Sequence, residues 1–196
     1  MKILIWLGSR IRQAMGIFTV LVLTTVGLTA CGGGGGNSEA TPGSNGEVAI
    51  ALTDAPGDFS AYSVDVLSIT LTQANGSVVE VLPVSTRIDF AQLTELTEFV
   101  TIATIPAGSY TGARLRLDYT NAEIMVEDDN GNAVAAVARD AVGNPVGTLN
   151  LDVRFDRQRP LTIVAGVPAH LTLDFNLAAS NQVDVAVTPP VVTVLP

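Results

Sequence analysis

One cysteine, one histidine and nineteen carboxylates are the groups in this chain with chemistry to offer. Cys31 has no second cysteine to pair with, so an intrachain disulfide is excluded. With His170 as the only histidine, a zinc site built from the usual nitrogen and sulfur ligands is out of reach. Serines are plentiful, but no Gly-x-Ser-x-Gly elbow holds one as a nucleophile. Gly32–Gly36 opens no strand–helix unit and lacks the lysine of a phosphate loop. His170 stands four residues from Asp174 on a strand-like pattern, which separates the two by about 13 Å. It reads as a surface histidine. Asp54 and Asp58 flank Pro56-Gly57, where a turn would bring two carboxylates together, either for calcium or as caps of a structural loop. Glu127-Asp128-Asp129-Asn130 falls at a hairpin tip and lacks the ligand spacing of an EF-hand. Paired carboxylates are the one route to acid–base hydrolysis, and no pair can be nominated. The expectation is a protein without catalytic residues, without a cofactor and without a resident metal, with Asp54 and Asp58 as calcium candidates.

The surroundings of Cys31 are more specific than those of any other reactive group. Lys2, Arg10 and Arg12 come first, then the apolar run Met15–Leu28, then Leu28-Thr29-Ala30 against the cysteine and five glycines behind it. A spanning helix needs about 20 apolar residues, more than this run supplies. A basic start, a short apolar stretch and small residues at the exit describe a cleaved export signal. The order resembles the signal peptide and lipobox of a bacterial lipoprotein, in which the cysteine becomes the acylated first residue. The resemblance implies removal of residues 1–30, lipidation of Cys31 and a location in the bacterial cell envelope. Gly32 after the cysteine favours the outer membrane by the same resemblance. A plain secretory signal with Cys31 incidental, and a retained membrane anchor, are the two alternatives. Several acyl chains hold a protein on a bilayer stably where one does not.

Without residues 1–30 the chain keeps seven arginines, no lysine and all nineteen acidic groups, a net charge of −12. Such a surface repels nucleic acid and anionic lipid. It suits a solvated, exported protein. Trp6 leaves with the signal, so the aromatic residues of the remainder are Tyr62, Tyr110, Tyr119 and five phenylalanines.

Residues 31–46 form a tether rich in Gly, Ser, Asn, Thr and Pro. A flexible coil of that length spans about 21 Å. From residue 47 to 196 the pattern is strand and turn. Val48–Leu52 is short and apolar; Tyr62–Leu71 changes its apolar phase near Leu67-Ser68, which predicts a bulge. Asn75-Gly76 and Asn130-Gly131 are hairpin signals. Ala113, Leu115, Leu117 and Tyr119 alternate with Gly112, Arg114, Arg116 and Asp118. Leu149–Phe155 and Leu171–Leu177 alternate likewise, each predicting a half-buried strand. Ala91–Glu95 is the only segment that reads as a helical turn. Val191–Pro196 is strand-like, either closing the fold or marking a truncated C-terminus. Regular short strands without a crossover helix predict an all-β fold, a single antiparallel β-sandwich.

Three stretches in order, VAIALTDAPGD at 48–58, IPAGSYTGARLRL at 105–117 and LTLDFN at 171–176, resemble a bacterial family of exported domains of unknown function. The resemblance spans about residues 47–187. It implies a lipoprotein-associated, transthyretin-like (prealbumin-type) sandwich in a grouping that includes sugar-binding domains, and it brings no catalytic residues. The functional expectation is therefore a membrane-anchored, non-catalytic interaction module facing the surface or periplasm, with an envelope protein as partner. The alternative is carbohydrate binding, with or without calcium, on Tyr62, Tyr110 or Tyr119 as platforms.

Overall fold

The computed structural model describes residues 4–6, 44–54, 59–94 and 97–195. Cys31, nearly all of the expected signal, most of the tether, and residues 55–58 with the calcium candidate Asp58 lie outside them.

The described residues form thirteen strands in two sheets. The smaller sheet has the order β1 (Leu4–Trp6), β11 (Ala169–Phe175), β2 (Asn45–Asp54), β6 (Glu98–Pro106). The larger is built on the long pair β3 (Phe59–Gln73) and β7 (Gly108–Glu127). Along its free side β3 takes β5 (Thr86–Asp89) and β4 (Val78–Glu80). Along the free side of β7 lie β10 (Leu161–Ile163), β9 (Thr148–Arg154) and β8 (Ala133–Arg139). β13 (Val191–Val194) and β12 (Asn181–Asp184) extend the sheet beyond β8.

Alternation is what lets the sheets share one core. Val48, Ile50 and Leu52 from β2 and Leu171, Leu173 and Phe175 from β11 meet Val64, Ile69, Leu71, Leu115 and Leu117 from the other sheet, all within 2% of complete burial. Fully burying a side chain of this kind contributes about 1.5–3 kcal/mol. The layered all-β architecture follows from that pattern. Several predicted details hold. β3 and β7 shift register between Val66 and Ser68, Gly76 and Gly131 take positive φ at the two Asn-Gly turns, and Val191–Val194 forms a strand of the larger sheet between β8 and β12.

Three details depart from expectation. The sheets are mixed rather than purely antiparallel: β2 runs parallel to β11, and β8 parallel to β13. These partners lie far apart in sequence, so no tight crossover is needed between them, and alternation along a strand carries no signal of its neighbour's direction. β2 begins at Asn45, inside the stretch read as tether. Gly46 is buried there because a Cβ at this position would meet Ile163 Cγ2 and the Val164 carbonyl oxygen at 2.7 Å. Its glycine serves close approach rather than flexibility. Lastly, the helical turn read at 91–95 forms as a 3₁₀ turn over Phe90–Thr94, and a second helical turn, α1 (Leu177–Ser180), follows β11 with the Asn176 side chain accepting from Ala179 N at 2.9 Å.

Candidate interaction face

Two places gather polar or aromatic side chains in a way a uniform sandwich would not require. The first is internal, at the sheet end where β2 leaves the core. The Tyr62 hydroxyl lies 3.1 Å from the Tyr119 hydroxyl and donates to Asn181 Oδ1 at 3.0 Å. Asn181 Nδ2 donates to the Leu177 carbonyl, and Leu177 N donates to Asp54 Oδ1 at 3.0 Å. One chain of bonds thus ties β3 and β7 to α1 and to the end of β2. Burial, and then the neighbouring Tyr119, push the Tyr62 hydroxyl well above the ordinary phenol range; burial pushes Tyr119 up to about 12. Both stay neutral donors at any physiological pH. The adjoining cavity measures about 10 Å³, and Ser180 faces it. That is room for a single water, so the cluster is structural. Asp54, one of the two calcium candidates, is buried here with its Oδ1 accepting from Leu177 N at the start of α1. Among the described residues no three His, Cys, Asp or Glu side chains gather as a cation would need.

The second place is external. On the outer surface of the smaller sheet, register aligns Ile102, Ala49 and His170 in one row and Phe99, Ala51 and Thr172 in the next, with Thr53 beside Asp174. Phe99 is 49% exposed and Ile102 62% exposed. The small alanines of the middle strand let the Phe99 and His170 rings approach across it, centroids 6.4 Å apart and tilted by 52°. A bulge between Ile50 and Ala51 makes this possible, since it resets β6 so that Phe99 joins the outward row instead of the core. Partial burial raises the Asp174 carboxyl above its usual range. The result is a surface with an apolar pair, Phe99 and Ile102, on β6 and an imidazole and a carboxylate on β11.

His170 is at the surface as expected, and Asp174 shares its face. The three tyrosines are not platforms: Tyr62 and Tyr110 are fully buried and Tyr119 nearly so. The Asp128 cluster is a turn. Its Oδ1 accepts from Asn130 N and Asn132 N, while Asp140 does the same for Val142 N and Asn144 N. These two Asp-x-x-Gly-Asn turns bracket β8, each with its glycine at positive φ. Bonds from Asn132 and from Asn144 hold the two carboxyls below the usual range. The repeat was visible in the sequence, whereas alternation counted back from Ile105 sets Phe99 on the core side and only the bulge turns it outward.

The family described as Domain of unknown function (DUF4382) matches residues 45–187. The chain belongs to this family. Its match begins at the first residue of β2 and takes in the buried tyrosine cluster and three strands of the smaller sheet, β11, β2 and β6. No curated protein and no solved structure matches the chain.

Proposed function

We propose that this DUF4382 chain is a lipoprotein, tethered to the bacterial envelope through Cys31 after loss of residues 1–30, whose domain is a non-catalytic module that docks an envelope protein. The outer membrane is the favoured location, and the sandwich is of the transthyretin-like type. The observation that carries the docking role is the exposed Phe99–Ile102 row beside His170. On a domain this acidic, an exposed apolar row at one side of a sheet face is the surface a protein partner would cover. The basic, apolar and small-residue order ahead of Cys31 supports the anchor. The carbohydrate alternative draws no support from the tyrosines, which are in the core.

Replacing Cys31 with Ser should move the protein from membrane to soluble fractions; a protein that stays on the membrane sinks the anchor. Phe99→Asp with Ile102→Asp should abolish recovery of a cross-linked envelope partner while the domain stays folded. Unchanged recovery sinks the docking face.

A further inference from the structure

We infer that the outer edge of β11 is a dimerisation edge, and that in the processed protein it pairs antiparallel with β11 of a second copy. The inference rests on the proposed removal of residues 1–30. In the present structure that edge is taken by β1, which runs antiparallel with Leu4 opposite Asp174, Ile5 opposite Leu173 and Trp6 opposite Thr172. An added strand is therefore accommodated there, and the segment that supplies it belongs to the part read as a cleaved signal. β1 covers Thr172–Asp174 of that edge; cleavage would leave the outer side of Ala169–Phe175 open, with the backbone donors and acceptors of alternate residues unpaired while the others stay bonded to β2.

Natural edges are usually protected by lysine, proline or a bulge. β11 contains neither residue, pairs with β2 without a register shift, and belongs to a domain with no lysine at all. What it carries instead is self-complementary. If two copies of AHLTLDF meet about a two-fold axis at Thr172, His170 of each faces Asp174 of the other. The pair occurs twice and on the outer face, where His170 is exposed. Directly opposed side chains on antiparallel strands have Cβ atoms about 4.5–5.5 Å apart, close enough for imidazole and carboxylate to hydrogen-bond. A slip by two residues, the smallest that keeps the same faces together, would set Thr172 against Asp174 and lose both pairs. The two-fold register also makes one continuous sheet of the two small sheets, with a Phe99–Ile102 row toward each end. Anchoring on one membrane raises the local concentration of copies and favours such pairing.

The full chain, expressed in a bacterium and extracted in detergent, answers the question by native mass spectrometry. Its mass reports directly whether residues 1–30 are gone. The expected result is a processed dimer. His170→Asp, which sets like charges opposite each other twice, should weaken the dimer about tenfold. His170→Asp combined with Asp174→His should restore it. Thr172→Cys should yield a disulfide-linked dimer on mild oxidation, because opposed Cα atoms lie within about 4.5–5.5 Å, inside disulfide range. A processed chain that is monomeric and does not cross-link overturns the dimer alone. A chain that keeps residues 1–30 overturns the processing and, with the edge still filled, the dimer too.

Discussion

The two sheets present opposite outer surfaces although both alternate in the same way. On the larger sheet the outward row is charged and self-paired. Arg114 sits opposite Asp152 with bonds of 2.6 and 3.1 Å, and Arg87 reaches Asp65 and Glu123. Arg114 holds the Asp152 carboxyl below its usual range. On the smaller sheet the outward face carries Ile102, Ala49, Phe99, Ala51 and Thr172, with one histidine and two carboxylates, Asp174 and Glu47, that have no arginine among them. Paired, solvated charges make a surface that rests in water, and their energetic contribution is small. Exposed phenylalanine and isoleucine gain from being covered. The contrast teaches that the inward half of each strand serves folding equally in both sheets, while the outward half separates a surface for solvent from one for contact.

The comparison assumes one cooperative unit beneath both faces. Leu115→Ala in the larger sheet and Leu171→Ala in the smaller should each cost about 2–5 kcal/mol, and each should shift a single denaturation midpoint. Two separate transitions would mean that the smaller sheet melts by itself, and its face would then be no rigid platform. Tyr62→Phe removes the hydroxyl that joins Tyr119 to Asn181 and should cost about 1–3 kcal/mol by leaving buried groups without a partner. A chemical melt that does not move would show that the network does not tie the sheets together.

Smaller effects test the faces themselves. Phe99→Asp with Ile102→Asp should remove partner binding yet alter stability by only about 0.5 kcal/mol, as exposed substitutions do. Arg114→Ala with Asp152→Ala should change neither binding nor midpoint measurably. If that double variant loses the partner, the assignment of the faces is reversed. The least effect is electrostatic. Asp128 and Asp140 have folded pKa values below their unfolded ones, so the stability they contribute is present above about pH 4 and is lost as pH falls through the folded values. Asp128→Asn with Asp140→Asn should flatten that acid limb in a titration of the unfolding midpoint. An unchanged slope would remove these turns from the account.

Much of the strand content was legible because period-two alternation and Asn-Gly turns are local signals. β7 and β9 lie where Ala113–Tyr119 and Leu149–Phe155 place them, and β11 where Leu171–Leu177 does, except that the strand ends at Phe175 and Leu177 opens α1. The candidate face was not legible. Its assembly needs β6, β2 and β11, drawn from three distant stretches, and a bulge that turns Phe99 outward. The tyrosines misled for a related reason: an aromatic with a polar tip fits a platform or a satisfied core, and only the partners Asn181 and Pro106 identify the core.

By itself, then, the chain determined what depends on neighbours along the backbone. That comprises the export-like order leading to Cys31, the tether composition, the acidic charge, the strands and their turns. Only the tertiary structure decided that β2 and β11 run parallel, that Gly46 is packed rather than free, and that Asp54 caps a buried turn. It alone decided that Phe99, Ile102 and His170 share one surface. Alternation says that half of each strand is buried, but strand partners and their register are chosen by the summed fit of a core drawn from the whole chain.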